Sequence, residues 1–308
     1  VIAAIIAFFV LGLNYGIDFR GGSIVEVGPA DGQEFTIDDL ASVRNAVGGL
    51  GLGNVSAQEI GSLGGGDHGI VVTVELQTDT QAFAQRCLDN APEDLGGDEA
   101  EQANQIATAC VQEVLGETLG EDITTRRIDV VGPTVSGELI EAGVAAVVAA
   151  ILGMLVYIWW RFEWQFSIGA IVALVHDVIL TIGMFSVTRL DFNMSIIAAL
   201  LTIVGYSMND TVVVYDRVRE NLRKYKKKPL TELLDLSIND TLSRTIITSG
   251  TTLLALVSLL VFGGSVLRGF TAAMIWGIVI GTYSSIFIAS PVLQLTGVKR
   301  EWSEGGAD

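Results

Sequence analysis

Five long apolar stretches constrain this chain more than any other feature. They fall at about 139–160, 166–187, 192–215, 242–263 and 269–293, and each reaches the ~20 residues that a helix needs to cross ~30 Å of hydrocarbon. Backbone polar groups in lipid have no water to bond, so such a run must satisfy them internally as a helix. A sixth stretch, Val1–Leu13, is apolar from its first residue but too short. It is expected to be the truncated end of a first transmembrane helix (residues 1–16). A signal peptide is the weaker reading, because Asn14-Tyr15-Gly16-Ile17 makes a poor small-residue cleavage site. The expected class is a polytopic α-helical membrane protein with six transmembrane helices, five of them in residues 134–293.

Charge divides the chain. Only 17% of its 308 residues are charged, against roughly 25% in an average soluble domain. Residues 17–133 hold 21 acidic and five basic side chains, so nearly all of the net charge of −17 lies there. An acidic, water-soluble region thus interrupts a nearly neutral apolar chain. Duplex nucleic acid is not expected as its partner, because phosphates would repel it. Lys and Arg in short loops set orientation. Arg161, the segment 217–241 with Arg217, Arg219, Arg223, Lys224, Lys226, Lys227 and Lys228, and the tail 294–308 with Lys299 and Arg300 share one side if there are six helices. The other side has only Arg189 and Arg268. The basic side is expected to be cytoplasmic, with both termini, and residues 17–133 periplasmic. Membrane lipid accounts for the basic run better than nucleic acid does.

The soluble region has its own pattern. Gly22–Val27 alternates like a strand, and Thr36–Val47 reads as a helix capped by Thr36 with Asp38 and Asp39 in its first turn. Residues 54–60 and 69–76 read as strands joined by the Gly61–Gly66 turn. Residues 80–118 read as two helical pieces, broken at Asn90-Ala91-Pro92 and Gly96-Gly97, and 121–131 as a last strand. That order is β-α-β-β-α-β, a ferredoxin-like α+β arrangement. The run Gly48–Gly53 follows a helix and precedes a strand, the reverse of a phosphate loop. Cys87 and Cys110 lie on either side of the helix break, where a helical hairpin brings them together in an oxidising compartment. Free buried thiols are the alternative. Two thiols and a distant His68 do not make a zinc site, and no Ser/His/Asp constellation points to an enzyme.

Ionisable groups at membrane depth are costly and mark function. His176-Asp177 falls at the midpoint of the third helix. Asn209-Asp210 lies about six residues, ~9 Å, from the cytoplasmic end of the fourth. Arg244 lies in the first turn of the fifth, which runs antiparallel to the fourth, so Asp210 and Arg244 are expected at similar depth and within reach of each other. A static ion pair, interhelical hydrogen bonds at His176 and Asp177, and snorkelling of Arg244 are the structural alternatives. Thr241, Thr245, Thr248 and Thr252 share a face of helix five, which suits a water chain or simple bonding to their own i−4 carbonyls. Gly269, Ala273, Gly277, Gly281, Ser285 and Ala289 recur every four residues on helix six, a small-residue packing face. Leu230, Leu233, Leu234 and Ile238 are expected to form a separate short amphipathic helix on the cytoplasmic interface.

Several motifs stand in a fixed order: Gly16-Ile17-Asp18-Phe19-Arg20-Gly21-Gly22; Arg161-Phe162-Glu163-Trp164; Ala173-Leu174-Val175-His176-Asp177; Gly205 to Asn221, with Asn209-Asp210-Thr211 inside it; Leu242-Ser243-Arg244-Thr245; and Thr248-Ser249-Gly250-Thr251-Thr252. Together they resemble the SecD/SecF family of bacterial protein-export membrane subunits, within the resistance-nodulation-division superfamily. The resemblance covers nearly the whole chain. It implies an inner-membrane accessory subunit, not an enzyme, that pairs with SecD and promotes late preprotein translocation and release at the SecYEG channel. SecA drives the cytoplasmic stage, and YajC and YidC are further partners. It implies no cofactor, protons as the coupling ion, and a proton path through Asp210 and Arg244; by depth and spacing, Asn209, His176, Asp177, Thr245 and Thr248 are secondary candidates. Half of a proton-driven small-molecule or lipid exporter, and a structural assembly subunit without proton traffic, are the competing functions.

The charge asymmetry makes a direct prediction about orientation. A cysteine placed at Asp98 labels with a membrane-impermeant thiol reagent in intact cells; labelling only after permeabilisation rejects the orientation.

Overall fold

The computed structural model of the chain describes residues 1–29, 35–61, 68–92, 95–120 and 123–298. The Gly61–Gly66 turn, apart from Gly61, and Lys299 and Arg300 of the tail lie outside the described residues. Helix α1 (Ile2–Leu11) leads through a two-residue strand β1 (Asn14–Tyr15) and a single turn α2 (Ile17–Arg20) into the soluble region. There follow β2 (Gly22–Pro29), α3 (Ile37–Gly48), β3 (Val55–Ile60), β4 (Gly69–Glu75), α4 (Gln85–Asp89), α5 (Glu99–Leu119) and β5 (Ile123–Val131).

Local chemistry places these elements. Thr36 caps α3 by accepting from the Asp39 N–H at 3.3 Å, and Asp39 returns the bond to the Thr36 N–H at 2.7 Å, a reciprocal capping box. Asp98 caps α5 by accepting from the Glu101 N–H at 2.9 Å. The strands form one antiparallel sheet in the order β3-β4-β2-β5, so each βαβ unit has a strand of the other unit inserted in it. Val25 and Val72 on the sheet pack against Val43 and Val47 of α3 and Val111 and Leu115 of α5, all nearly inaccessible to solvent. Gly21 and Gly22 have φ of +76° and +121°, and a Cβ on Gly22 would collide with the Val74 carbonyl. Two glycines are therefore needed where the chain turns from α2 into the sheet.

Expectation and structure part at 80–84, which is turn and extended chain rather than helix, so α4 has only five residues. What holds this short helix is covalent: Cys87 of α4 and Cys110 of α5 are disulfide-bonded, with Cα atoms 5.0 Å apart and both side chains buried. Arg86 also reaches Glu117 at 2.7 Å.

Among the described residues, five helices are long and apolar enough to cross a membrane. They are α6 (Pro133–Arg161), α7 (Trp164–Thr188), α8 (Met194–Lys224), α9 (Leu230–Phe262), and a composite of α10 (Gly264–Ser284), a π-helical turn Ser285–Ala289 and α11 (Ser290–Thr296). A short strand β6 (Asp191–Phe192) pairs parallel with β1 before α8. Helix α1 packs on α7, where Gly183 leaves room for Ala4. The bundle is arranged around α8, which touches α6, α7, α9 and α10.

One expectation is corrected here. Residues 230–238 are not a separate interfacial helix but the first turns of α9. No Pro or Gly breaks the chain there, Asn221 Nδ2 donates to Ser237 Oγ at 2.9 Å, and Leu233 and Leu234 are buried in the bundle core. The small-residue face of α10 packs as its pattern suggests, and its neighbour is α8 of the same chain. Gly269 lies against Ile196, a Cβ on Gly277 would collide with Ile203, and one on Gly281 would sit 3.0 Å from Ser207 Cβ. The numbers rise together on both helices, so α10 runs parallel to α8 along this seam.

The disulfide closes a loop with a sequence separation of 23, a constraint of about 3 kcal/mol in the chain-entropy account. Reduction is expected to lower the melting temperature of the isolated 17–133 domain by roughly 10 to 20 °C. A Cys87→Ser/Cys110→Ser variant should melt near the reduced value and ignore reductant. No shift, with titratable thiols before treatment, contradicts the stabilising role.

Candidate functional site

The close seam between α8 and α10 determines what meets inside the bundle. With 3.6 residues per turn, Ser207, Asp210 and Thr211 share one face of α8, and all three are buried. Asp210 accepts from Thr245 Oγ1 of α9 at 2.6 Å and from Ser285 Oγ at 2.5 Å. Its carboxylate is thus held between two helices by one hydroxyl on each oxygen.

A second carboxylate lies one helix away. Asp177 of α7 is 1% exposed. It accepts from Ser207 Oγ at 2.6 Å and Ser284 Oγ at 2.7 Å, both on Oδ2, while Oδ1 lies 2.9 Å from His176 Nδ1. Consecutive residues Ser284 and Ser285 therefore serve different carboxylates. They stand where α10 passes into the π-helical turn. That turn is itself tied down: Ser290 Oγ donates to the Ser285 carbonyl at 3.2 Å and Tyr215 Oη to the Ala289 carbonyl at 3.1 Å. A π-helical turn shifts the register of the helix by a residue and is common at functional sites. Next to it, Ser249 of α9 and Thr282 exchange a hydrogen bond at 2.7 Å, and Tyr206 Oη donates to Ser249 at 3.4 Å.

The two helices bearing these groups are also tied to the soluble region. The Met194 N–H at the start of α8 donates to Asp18 Oδ2 at 2.7 Å, which places a negative charge at the positive end of the helix. Arg268 of α10 donates to the Gly61 carbonyl at the end of β3.

Measured against the sequence, the structure brings Asp210 and Thr245 together but not Asp210 and Arg244. Arg244 is exposed, and among the described residues it forms no ion pair with Asp210. The reason is angular: Arg244 precedes Thr245, so it points about 100° away around α9. Asn209 is likewise exposed. Most of the threonine face bonds to its own backbone: Thr241 to the Ser237 carbonyl, Thr248 to that of Arg244 and Thr252 to that of Thr248. Only Thr245 turns its hydroxyl to a carboxylate. The sequence alone does not single out Ser207 or Ser284, and it marks Ser285 only as part of a small-residue face. The available signal was a hydroxyl one turn from a buried carboxylate or beside the Gly277/Gly281 seam. Among the described residues, no three His, Cys, Asp or Glu side chains gather into a metal site.

Comparison with known proteins places this geometry in a family. Residues 111–299 match the family described as protein export membrane protein SecD/SecF, C-terminal, and residues 6–29 match the SecD/SecF GG motif. The second match contains the Gly21-Gly22 turn. The chain is 46% identical over 300 residues to the protein translocase subunit SecF of Cereibacter sphaeroides, covering 97% of this chain and 85% of that one. It is 42% identical to that of Rickettsia akari, covering 96% and 87%. Among solved structures, a SecDF, described as a translocon-associated membrane protein, from Thermus superimposes with a TM-score of 0.74 at 34% identity. The match covers 96% of this chain and 36% of that one, so this chain spans about a third of the SecDF polypeptide. The chain belongs to the SecD/SecF family of protein export membrane proteins.

Proposed function

We infer that the chain is an accessory subunit of the Sec translocase, a multi-pass inner-membrane protein that works with SecD to promote the late stage of preprotein translocation. The translocase-subunit names of its relatives and their coverage of nearly the whole chain support this. SecYEG, SecA, YajC and YidC are proposed as the wider assembly. The sheet order β3-β4-β2-β5 supports the ferredoxin-like reading of the soluble domain, and the packing of α1 on α7 supports its being part of a sixth span. The charge asymmetry supports a periplasmic 17–133 domain with cytoplasmic termini. No cofactor is invoked; the coupling ion is the proton.

The observation that carries the mechanism is Asp210 clasped between Thr245 and Ser285. As a carboxylate it can accept from both hydroxyls and hold α8, α9 and α10 in one arrangement. Once protonated, one oxygen becomes a donor, and a hydroxyl must turn or leave. The two arrangements then differ in stability, and the gradient biases one over the other. Rotation of α9 by about 100°, one residue's worth, would replace Thr245 with Arg244 beside Asp210. Arg244 thus acts in the alternate arrangement. Asp177, with His176, anchors the other end of the Ser284-Ser285 pair and keeps α7 in register. Because Asp18 and Arg268 tie α8 and α10 to the soluble domain, a shift of either helix moves that domain. Outside the membrane there is no ATP, so the proton gradient is the energy source at hand.

Asp210→Asn keeps the shape and removes the titrating group. It is expected to abolish gradient-stimulated export and proton flux in vesicles while leaving the chain folded and assembled with SecD. Arg244→Lys retains charge but not the planar fork, and should be impaired. Ser285→Ala removes one hydrogen bond to a charged group, worth about 1.5–3 kcal/mol, and should slow flux without abolishing it. Wild-type flux and export in Asp210→Asn vesicles would leave Asp210 a static structural group.

A further inference from the structure

Two cavities meet at one pair of side chains, Tyr15 and Arg20, where the bundle joins the soluble domain. The first is an apolar groove of about 400 Å³ on the flank of the bundle, between Phe8 of α1 and one face of α6. Ile140, Gly143, Val144, Val147 and Val148 line it, at the i, i+3, i+4, i+7, i+8 spacing of a single helix stripe. Val178 of α7 and Leu200 of α8 complete its walls. Ile140, Val144 and Val148 are exposed, so the groove opens to hydrocarbon. Among the described residues that line it, Arg20 alone is charged.

The second is a polar cleft of about 330 Å³, where Arg20 and Tyr15 are joined by Asn54, Ser56, Glu75 and Asp191. Ile24 and Thr73 also line it. They alternate with the core residues Val25 and Val72, so the cleft lies on the face of the sheet away from α3 and α5. The Tyr15, Phe19 and Phe192 rings pack at the boundary between the two cavities, with centroids 5.9 to 6.3 Å apart. Such aromatic groups settle at the membrane–water interface, which places the groove in the bilayer and the cleft at headgroup level.

The charges facing the cleft are not matched to one another. Arg20, Glu75 and Asp191 are all exposed, and among the described residues Arg20 forms no ion pair. Its guanidinium carbon stands 6.0 Å from the Tyr15 ring centroid, a contact that leaves the N–H edges open to an oxyanion. The Glu75 carboxylate accepts one long bond, from Asn54 Nδ2 at 3.4 Å. Asp191 accepts from Asn14 Nδ2 at 2.6 Å on one oxygen. A lone anion would satisfy Arg20 and be repelled by the two acids. A headgroup with a phosphate followed by an ammonium satisfies both signs. Apolar groove, cation at the junction and acidic cleft beyond it repeat the order of parts in such a lipid: acyl chain, phosphate, amine. A transmembrane helix would cover the groove and leave the cleft unmatched; a soluble peptide would use the cleft and not the groove.

We propose that the two cavities together bind a zwitterionic amine phospholipid of the phosphatidylethanolamine class. An acyl chain lies in the groove along α6, the phosphodiester sits on Arg20 beside Tyr15, and the ammonium is held in the cleft by Glu75 and Asp191. The lipid then stands between α1 and α6 and touches α2, the turn that leads into the sheet, so it supports the soluble domain on the membrane surface. The site needs membrane insertion alone and is independent of the proton mechanism.

The test uses the purified full chain in nanodiscs of phosphatidylethanolamine and phosphatidylglycerol in equal parts, with retained lipid read by native mass spectrometry. The wild type should retain phosphatidylethanolamine over phosphatidylglycerol; equal retention would overturn the proposal. Glu75→Gln should cut that preference roughly two- to fivefold, the scale of one exposed ion pair. Arg20→Gln should lower retention of both lipids by a similar factor. Glu75 is exposed at the end of β4, so its variant keeps the test valid if Arg20→Gln is unstable. Val147→Trp fills the groove and should lower retention of both lipids; unchanged retention there would overturn the placement of the chain. Glu138→Gln, an exposed acid outside both cavities, should change the preference little; a loss equal to that of Glu75→Gln would mean diffuse surface attraction and overturn the site. A photo-crosslinking residue at Val144 in native membranes should capture lipid. Capture of a polypeptide instead would assign the groove to a partner helix and overturn the lipid assignment.

Discussion

Two carboxylates inside a helical bundle set the terms for the rest of the membrane half. A buried carboxylate without compensation costs several kcal/mol, and Asp177 is 1% exposed. Each must therefore find donors on neighbouring helices. Hydroxyls supply them, from Ser207, Ser284, Ser285 and Thr245. Short side chains such as serine reach a partner only when backbones approach closely, and Gly277 and Gly281 permit that approach along α8. The seam brings Ser285 to Asp210 directly and sets Ser207 and Ser284 side by side against Asp177.

Much of the soluble domain was legible because its signals are local. Thr36 with Asp39, the alternation of Gly22–Val27 and the Gly21-Gly22 turn each act within a few residues. The segment 80–84 was misread because composition there resembles the helices around it. The short α4 is held by the disulfide to α5 rather than by its own propensity, and five residues are too few for a stable helix alone. Tertiary context, not sequence pattern, decides such a segment.

The site was legible in half. The cost of burial marks Asp177 and Asp210 from sequence alone. Their donors are hidden, because serine in an apolar helix reads as a small residue whether it packs or donates. The expected Asp210–Arg244 contact failed for a different reason. Depth along a helix follows from counting, but azimuth depends on how the helices pack, and one residue's error turns a side chain by about 100°. Thr245 occupies the place that counting assigned to its neighbour. The separate interfacial helix failed similarly: Leu233 and Leu234 are amphipathic in pattern, yet α8 extends far enough past the apolar stretch to bury them.

The direction of force transmission follows from where the bundle is tied. Helix α8 is held at one end by Asp18, which comes from the turn entering the sheet, and it carries Ser207 and Asp210 farther along. Helix α10 is held at its outer end by Arg268 on the Gly61 carbonyl and carries Ser284 and Ser285 at the other. Gly21 and Gly22 allow the chain to turn sharply between Asp18 and β2, so little slack separates the α8 cap from the sheet. The two rods touch along the glycine seam and run parallel. A relative shift between them is therefore presented to the sheet at two points, the start of β2 and the end of β3. Because β4 lies between β2 and β3, the two points straddle the sheet's centre. Unequal displacement there tilts the sheet as a body, without requiring its core of Val25, Val72 and Val111 to repack. Close-packed interiors resist deformation, so a rigid tilt is the lower-cost response. On the proposed coupling, the compact core and its disulfide would act as a lever rather than as an element that must change shape.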